Sequence, residues 1–134
     1  MIVGFPGESD AEFAESCRFI ESIGFANIHI FAYSPRPGTP AATMPGRPSP
    51  EAVRRRCAEL RRIARKAARD FAASQVGETL PMIFERSENG VSRGWSDNYL
   101  EVTAPSARVE LGKITSVIAA ADNIAPPNRE RSDL

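Results

Sequence analysis

The chain reads as an α/β protein built from a parallel βαβ segment, a long basic helix and a small antiparallel β-barrel. Three patterns carry that reading. Between Met1 and Tyr33 an apolar run, a tight glycine turn, a helical stripe and a second apolar run follow one another. From Pro50 the apolar residues keep helical spacing among many arginines. After Gly77 the apolar positions recur at every second residue, the period of a half-buried strand. The expected divisions are 1–48 for the βαβ part, 49–74 for the connecting helix, 75–121 for the barrel and 122–134 for a disordered tail.

Met-Ile-Val-Gly-Phe-Pro-Gly-Glu opens as a buried strand that lacks its beginning, so the chain is expected to be a fragment or to start unusually late. Gly4 and Gly7 make a turn that brings backbone close to whatever lies above the strand end, and Pro6 stiffens it. Gly4-Phe5-Pro6-Gly7 has neither the Gly-Lys-Ser/Thr ending of a phosphate-binding loop nor the third glycine of a dinucleotide fingerprint. Ser9 and Glu12 form a capping box for a helix whose stripe is Phe13, Cys17, Ile20 and Ile23, and Gly24 ends it. Asn27 to Tyr33 is rich in β-formers and predicts the second strand; His29 within it reads as structural. Strand, helix, strand requires a parallel pair with a right-handed crossover.

Tyr33-Ser-Pro-Arg-Pro-Gly-Thr-Pro40 follows, with three prolines that exclude helix and central strand. It is a stiff loop that exposes Arg36. Composition alone leaves it open as a connector, a polyproline ligand or part of a site. Ligands of parallel α/β sheets sit at the carboxyl ends of the strands, so this loop and the Gly4 to Gly7 turn are expected side by side.

Met44 to Pro50 has linker composition; Ser49 as N-cap and Pro50 at the first helical position start a helix reaching about Ser74. Val53, Cys57, Leu60, Ala64, Ala67 and Phe71 give its inward stripe, and the arginines are assigned to the remaining surface. Leu80, Met82 and Phe84 then alternate through a strand, and Ser87-Glu88-Asn89-Gly90 is a hairpin turn. Val91 to Trp95, Tyr99 to Thr103 and roughly Val109 to Ala119 complete four short strands, a spacing that suggests a barrel of the OB type. Arg93, Trp95, Tyr99 and Lys113 would give it an aromatic and basic RNA-binding surface, although Trp95 could equally be core.

Seventeen basic residues balance seventeen acidic ones in 134 positions, so no net field draws the chain to nucleic acid or membrane. The distribution is uneven: Glu51 to Asp70 holds eight basic and three acidic residues, a net of +5. That stripe is either a phosphate-facing surface or a solvated helix face. No run approaches the roughly 18 apolar residues of a membrane span, and the expected location is the cytosol. Cys17 and Cys57 fall on apolar helix sides without a CxxC, so buried free thiols are expected, and two cysteines cannot hold an iron–sulfur cluster.

Taken in order, Ile-Val-Gly-Phe-Pro-Gly-Glu, Ile-His-Ile-Phe-Ala-Tyr-Ser-Pro-Arg-Pro-Gly-Thr-Pro-Ala, a basic helix, Gly-Trp-Ser-Asp-Asn-Tyr-Leu-Glu-Val and Leu-Gly-Lys-Ile closely resemble the C-terminal part of the radical-AdoMet tRNA methylthiotransferases. The resemblance runs from Met1 to about Ala119. It implies the end of a TIM-like radical-AdoMet barrel followed by a TRAM domain. The Ile-His-Ile-Phe and Asn-Tyr-Leu versions look most like the branch acting on N6-threonylcarbamoyladenosine beside the anticodon. The isopentenyladenosine branch and a free-standing TRAM-type RNA-binding module are the alternatives.

In that family S-adenosylmethionine is cleaved at one 4Fe-4S cluster, the resulting radical activates C2 of the adenine, and sulfur arrives through a second cluster before methylation. The cluster ligands lie in parts that this chain lacks, so alone it is expected to be inactive. By matching motif, Gly4, Phe5, Pro6, Gly7 and Glu8 would border S-adenosylmethionine. Tyr33, Ser34 and Arg36 would border the substrate adenosine or its threonylcarbamoyl group, and Trp95, Asn98, Tyr99 and Lys113, with Arg93, would hold the tRNA anticodon arm. Neither membrane nor DNA is an expected partner.

Overall fold

The computed structural model describes residues 1–125 and divides into two compact units, Met1–Ala67 and Ala68–Leu134. In the first, β1 (Ile2–Val3) pairs in parallel with β2 (Phe31–Ala32), Ile2 opposite Phe31 and Val3 opposite Ala32, and α1 (Asp10–Ile23) is the crossover. The βαβ order expected from the sequence is therefore present. One parallel pair establishes a βαβ unit and no more; a TIM-like barrel is not shown. The second strand is shorter than the Asn27 to Tyr33 run; its pairing is made by Phe31 N–H donating to Met1 O at 2.9 Å and Tyr33 N–H to Val3 O at 2.7 Å.

The ends of α1 follow from local chemistry. Ser9 Oγ accepts the Glu12 amide while the Glu12 carboxylate accepts the Ser9 amide at 2.8 Å, and Gly24 closes the helix at φ 69°. Ile20 is buried and Phe13 and Cys17 are partly so, but Ile23 is 52% exposed. At 100° per residue it lies about 80° off the line through Phe13, beyond the core-facing stripe. A four-residue α2 (Pro40–Thr43) starts inside the proline loop, because a proline at the first helical position gives up only an amide that has no partner there.

The long helix α3 (Pro50–Ser74) ends where the spacing predicts, and Ser49 caps it through Ala52 N–H at 3.1 Å. Within the first unit Cys57, Leu60 and Ile63 pack with Val3 and Ile20 into one core. Each such side chain removed from water stabilises by about 1.5–3 kcal/mol. The arginines do not all face solvent: Arg56 is only 4% exposed. Its position, about 60° round from Val53, is on the core side of the helix.

The second unit is a five-stranded antiparallel sheet of β3 (Thr79–Glu88), β4 (Val91–Ser96), β5 (Glu101–Pro105), β6 (Ile114–Ile118) and β7 (Ile124–Ala125), in the order β6-β3-β4-β5-β7. A fourth strand that returns beside the first of a meander makes a Greek key. Four strands were expected and five are found. The addition is β7, where the tail was expected to lack order: Ile124 and Ala125 pair with Val102 and Glu101 of β5. The rest of that expected tail lies outside the described residues. Tyr99 is not in a strand but in the β4–β5 turn at φ 65°, and β6 starts late because a 3₁₀ turn at Ser106–Arg108 and Gly112 at φ 75° interrupt the run.

Asn89 and Gly90 both have positive φ, 51° and 79°, as a two-residue hairpin turn demands. Leu80, Met82, Phe84, Leu100, Val102 and Ala104 fill the inner face, with Phe71 and Ala72 from the end of α3 against them. A register shift between Phe84 and Arg86 bends β3, and opposite it Gly94 comes so close that a Cβ would meet Ile83 O at 2.3 Å.

Candidate functional site

The parallel register sends the turn after β1 and the loop after β2 out of the same sheet edge, and the two touch: the rings of Phe5 and Tyr33 meet edge to face at 5.3 Å. Gly7 N–H donates to Gly46 O at 2.9 Å, which ties the turn to the segment before α3. The residues of the turn have divergent environments. Gly4 and Pro6 are buried, and a Cβ on Gly4 would meet Val53 of α3 at 2.6 Å, so this glycine is required by packing. Gly7, at φ 88° with open space around it, and Phe5, 44% exposed, are the two that face outward.

Glu8 turns inward. Its Oε2 accepts the Gly4 amide at 2.7 Å and Arg56 Nη1 at 2.7 Å, while the same Nη1 donates to Glu8 O at 3.0 Å. Arg56 Nη2 donates to Asp10 Oδ1 at 2.8 Å, and its guanidinium carbon lies 5.5 Å from the Phe13 ring centre. One arginine thus holds both the glycine turn and the first turn of α1. Hydrogen bonding from Arg56, and then its charge, hold the Asp10 carboxyl below its ordinary value. Neither Arg56 nor Val53 was a candidate from sequence; the available signal was the helical position of Arg56 on the core side.

In the proline loop, Arg36 and Ser34 are exposed. Arg36 O accepts the Thr39 amide at 3.2 Å and the Thr39 hydroxyl at 2.8 Å, a turn that fixes the backbone under the arginine and leaves its guanidinium without a polar partner among the described residues. Tyr33 Oη is buried without a hydrogen-bond partner among those residues.

On the second unit, Arg93 and Trp95 share the outer sheet face. Register places Ile114, Ile83, Trp95 and Glu101 in one cross-strand row, with Ile114 74%, Ile83 44% and Trp95 36% exposed. Trp95 is therefore a surface residue and not the core. Arg93 approaches Glu101 at 3.8 Å, Lys113 pairs with Glu110 at 2.7 Å, and Tyr99 is 75% exposed on its turn. Asn98 differs from the others: its Oδ1 accepts from Ser96 Oγ at 2.5 Å and its Nδ2 donates to Gln75 Oε1 at 2.9 Å, so it holds the turn together.

With this geometry in place, comparison with known proteins decides the family of relatives. No family model matches the chain. The threonylcarbamoyladenosine tRNA methylthiotransferase MtaB of Bacillus subtilis is 34% identical over 122 residues, which covers 87% of this chain and 27% of that protein. Its relatives are methylthiotransferases. The ribosomal protein uS12 methylthiotransferase RimO of Syntrophobacter fumaroxidans is 42% identical over 85 residues, and the tRNA-2-methylthio-N(6)-dimethylallyladenosine synthase of Wolbachia pipientis 39% over 83; each alignment covers 62–63% of this chain and 19% of the relative. The chain spans about a quarter or less of these methylthiotransferases, and their names divide among three substrates.

The methylthiotransferase resemblance implies iron–sulfur clusters, and the donor set here does not fit one. Among the described residues no three His, Cys, Asp or Glu side chains converge, and Cys57 is buried in the first unit's core with Cys17 packed against it. Burial pushes the Cys17 thiol up. Gly7 and Phe5 are the outward residues of the turn, whereas Glu8, with Oε2 bound on two sides, serves the turn itself. No helix among the described residues is long and apolar enough to cross a membrane.

Proposed function

We propose that this chain is the substrate-facing part of a tRNA methylthiotransferase that places a methylthio group on C2 of N6-threonylcarbamoyladenosine. The observation that carries the reading is the 34% identity spread over 87% of the chain to a relative of that name. S-adenosylmethionine, when bound, would supply the methyl group and the precursor of the radical. Gly7 and Phe5 would flank it, Gly7 by offering backbone without a side chain. Arg36 would grip the threonyl carboxylate through two parallel hydrogen bonds, which its exposed guanidinium can supply. Tyr33 and Ser34 would border the adenosine, and Trp95, Tyr99 and Arg93 would stack on and steer the anticodon arm. The second unit would be a TRAM-type barrel and the first the end of a radical-AdoMet barrel.

The test is a chimera in which this chain replaces the matching quarter of the Bacillus subtilis relative, expressed in cells without that enzyme, with tRNA nucleosides read by mass spectrometry. Methylthiolated threonylcarbamoyladenosine is the expected product. A methylthio group on dimethylallyladenosine instead would overturn the branch, and a folded chimera with intact clusters but no methylthiolation would overturn the reading. Arg36→Lys in the same chimera should lower kcat/KM about tenfold, the loss of roughly 1.4 kcal/mol with the second hydrogen bond. Unchanged kinetics would remove Arg36 from the site.

A further inference from the structure

Five exposed arginines of α3 fall into two sets. Arg55 and Arg62 have acidic partners, Asp10 at 3.4 Å and Glu59 at 2.7 Å. Arg54, Arg61 and Arg65 are exposed and have no acidic partner among the described residues. At 3.6 residues per turn Arg61 and Arg65 fall about 20° to either side of the line through Arg54, and the three extend over roughly 17 Å of helix axis, a single ridge. Arg69 continues the spacing. The partnered arginines lie off that ridge.

We infer that the Arg54–Arg61–Arg65 ridge is a phosphate-backbone contact surface for structured RNA. Three guanidinium forks in a row match a strand of regularly spaced phosphates better than they match one isolated anion. A membrane surface does not fit, because a helix binds lipid through its apolar face, and here that face carries Cys57, Leu60 and Ile63 into the core. In a chain without net charge, a local row of arginines is also where phosphates can be neutralised and the cations condensed on a nucleic acid released. The choice of RNA rests on the methylthiotransferase reading; the ridge as a phosphate surface does not.

The experiment titrates unmodified tRNA into the full 134-residue chain between 50 and 200 mM salt, with binding read by fluorescence anisotropy. Replacing Arg54, Arg61 and Arg65 together by Gln should lower the steepness of log affinity against log salt by about 2–3, from roughly 0.7–0.9 per phosphate contact. The affinity lost across that fourfold salt range should then shrink by about 20–40-fold. The same three positions changed to Lys should keep the slope, since a point charge also releases a counterion, and Trp95→Ala should weaken binding without changing it. An unchanged slope in the Gln variant, or no binding by the unaltered chain at 50 mM salt, would overturn the ridge. Equal binding of duplex DNA with the same arginine dependence would leave the ridge standing and remove RNA as its partner.

Discussion

Gly94→Ala tests the close approach of β4 to β3. The added Cβ would stand 2.3 Å from Ile83 O, 2.8 Å from Ile83 C and 2.8 Å from Phe84 Cα. An ordinary carbon–oxygen contact is about 3.3–3.6 Å, so relief needs a shift of about 1 Å. The atoms in the way are backbone, held by β4 on one side and by β6 on the other, with Phe84 fully buried beneath them. Overpacking commonly costs about 1–3 kcal/mol, and a clash with backbone belongs at the upper end or above, about 3 kcal/mol. For a unit of this size that lowers the melting temperature by about 12–24 °C. Trp95 is the chain's one tryptophan and the next residue, so urea unfolding followed by its fluorescence reports this unit. Gly77→Ala is the control: at φ 93° with nothing within 4 Å it brings only backbone strain, about 1–2 kcal/mol. A Gly94→Ala cost below about 1 kcal/mol, or below that of the control, would refute the close approach.

Three further outcomes follow from the first unit. Arg56→Ala leaves the Glu8 carboxylate, 12% exposed, without its cation and should cost about 3–5 kcal/mol in a chemical melt, whereas Arg56→Met paired with Glu8→Gln should recover most of it; equal losses in both would show that the ion pair is not the cause. Asp10 and Glu12 titrate below their ordinary values, Asp10 through Arg56 and Glu12 through Ser9. Because the folded state binds those protons less well, their stabilisation is complete above the unfolded values of 3.8 and 4.5 and is lost as pH falls through the lower folded ones. Melts between pH 6 and 2.5 should therefore show a shallower acid decline for Glu12→Gln, and an identical decline would count against the capping box. Tyr33→Phe removes a buried hydroxyl that has no partner among the described residues and should raise stability by about 1 kcal/mol; a loss of stability would mean that the hydroxyl is bonded.

Features that depend on neighbours in sequence were legible from the chain alone. The Ser9–Glu12 box, the Gly24 cap, the Asn89-Gly90 turn and the alternation of Leu80, Met82 and Phe84 are each set within a few residues. The adjacency of the two loops was also readable, because a parallel pair must send both from one edge, and Phe5 against Tyr33 is the result. What escaped was fixed by distant partners. Arg56 is buried because Glu8 and Asp10 come to it from 48 and 46 positions away, and no periodicity reveals that. Ile124-Ala125 becomes a strand only because β5 offers an open edge. Glu8 matches a site motif in sequence, yet its orientation is set by the Gly4 amide and α3.

The span between Glu8 and Arg56 also puts a delay into biosynthesis. A chain leaves the ribosome at about 5–20 residues per second, so the 48 positions separating these partners take about 2–10 s to appear. Through that interval Val3 and Ile20 have no Leu60 to pack against, and the glycine turn has no arginine to close it. The hairpin of β3 and β4 needs no such wait, since Glu88 and Val91 are three positions apart. Protease resistance of stalled nascent chains should therefore arise in the first unit only after Ile63 has emerged.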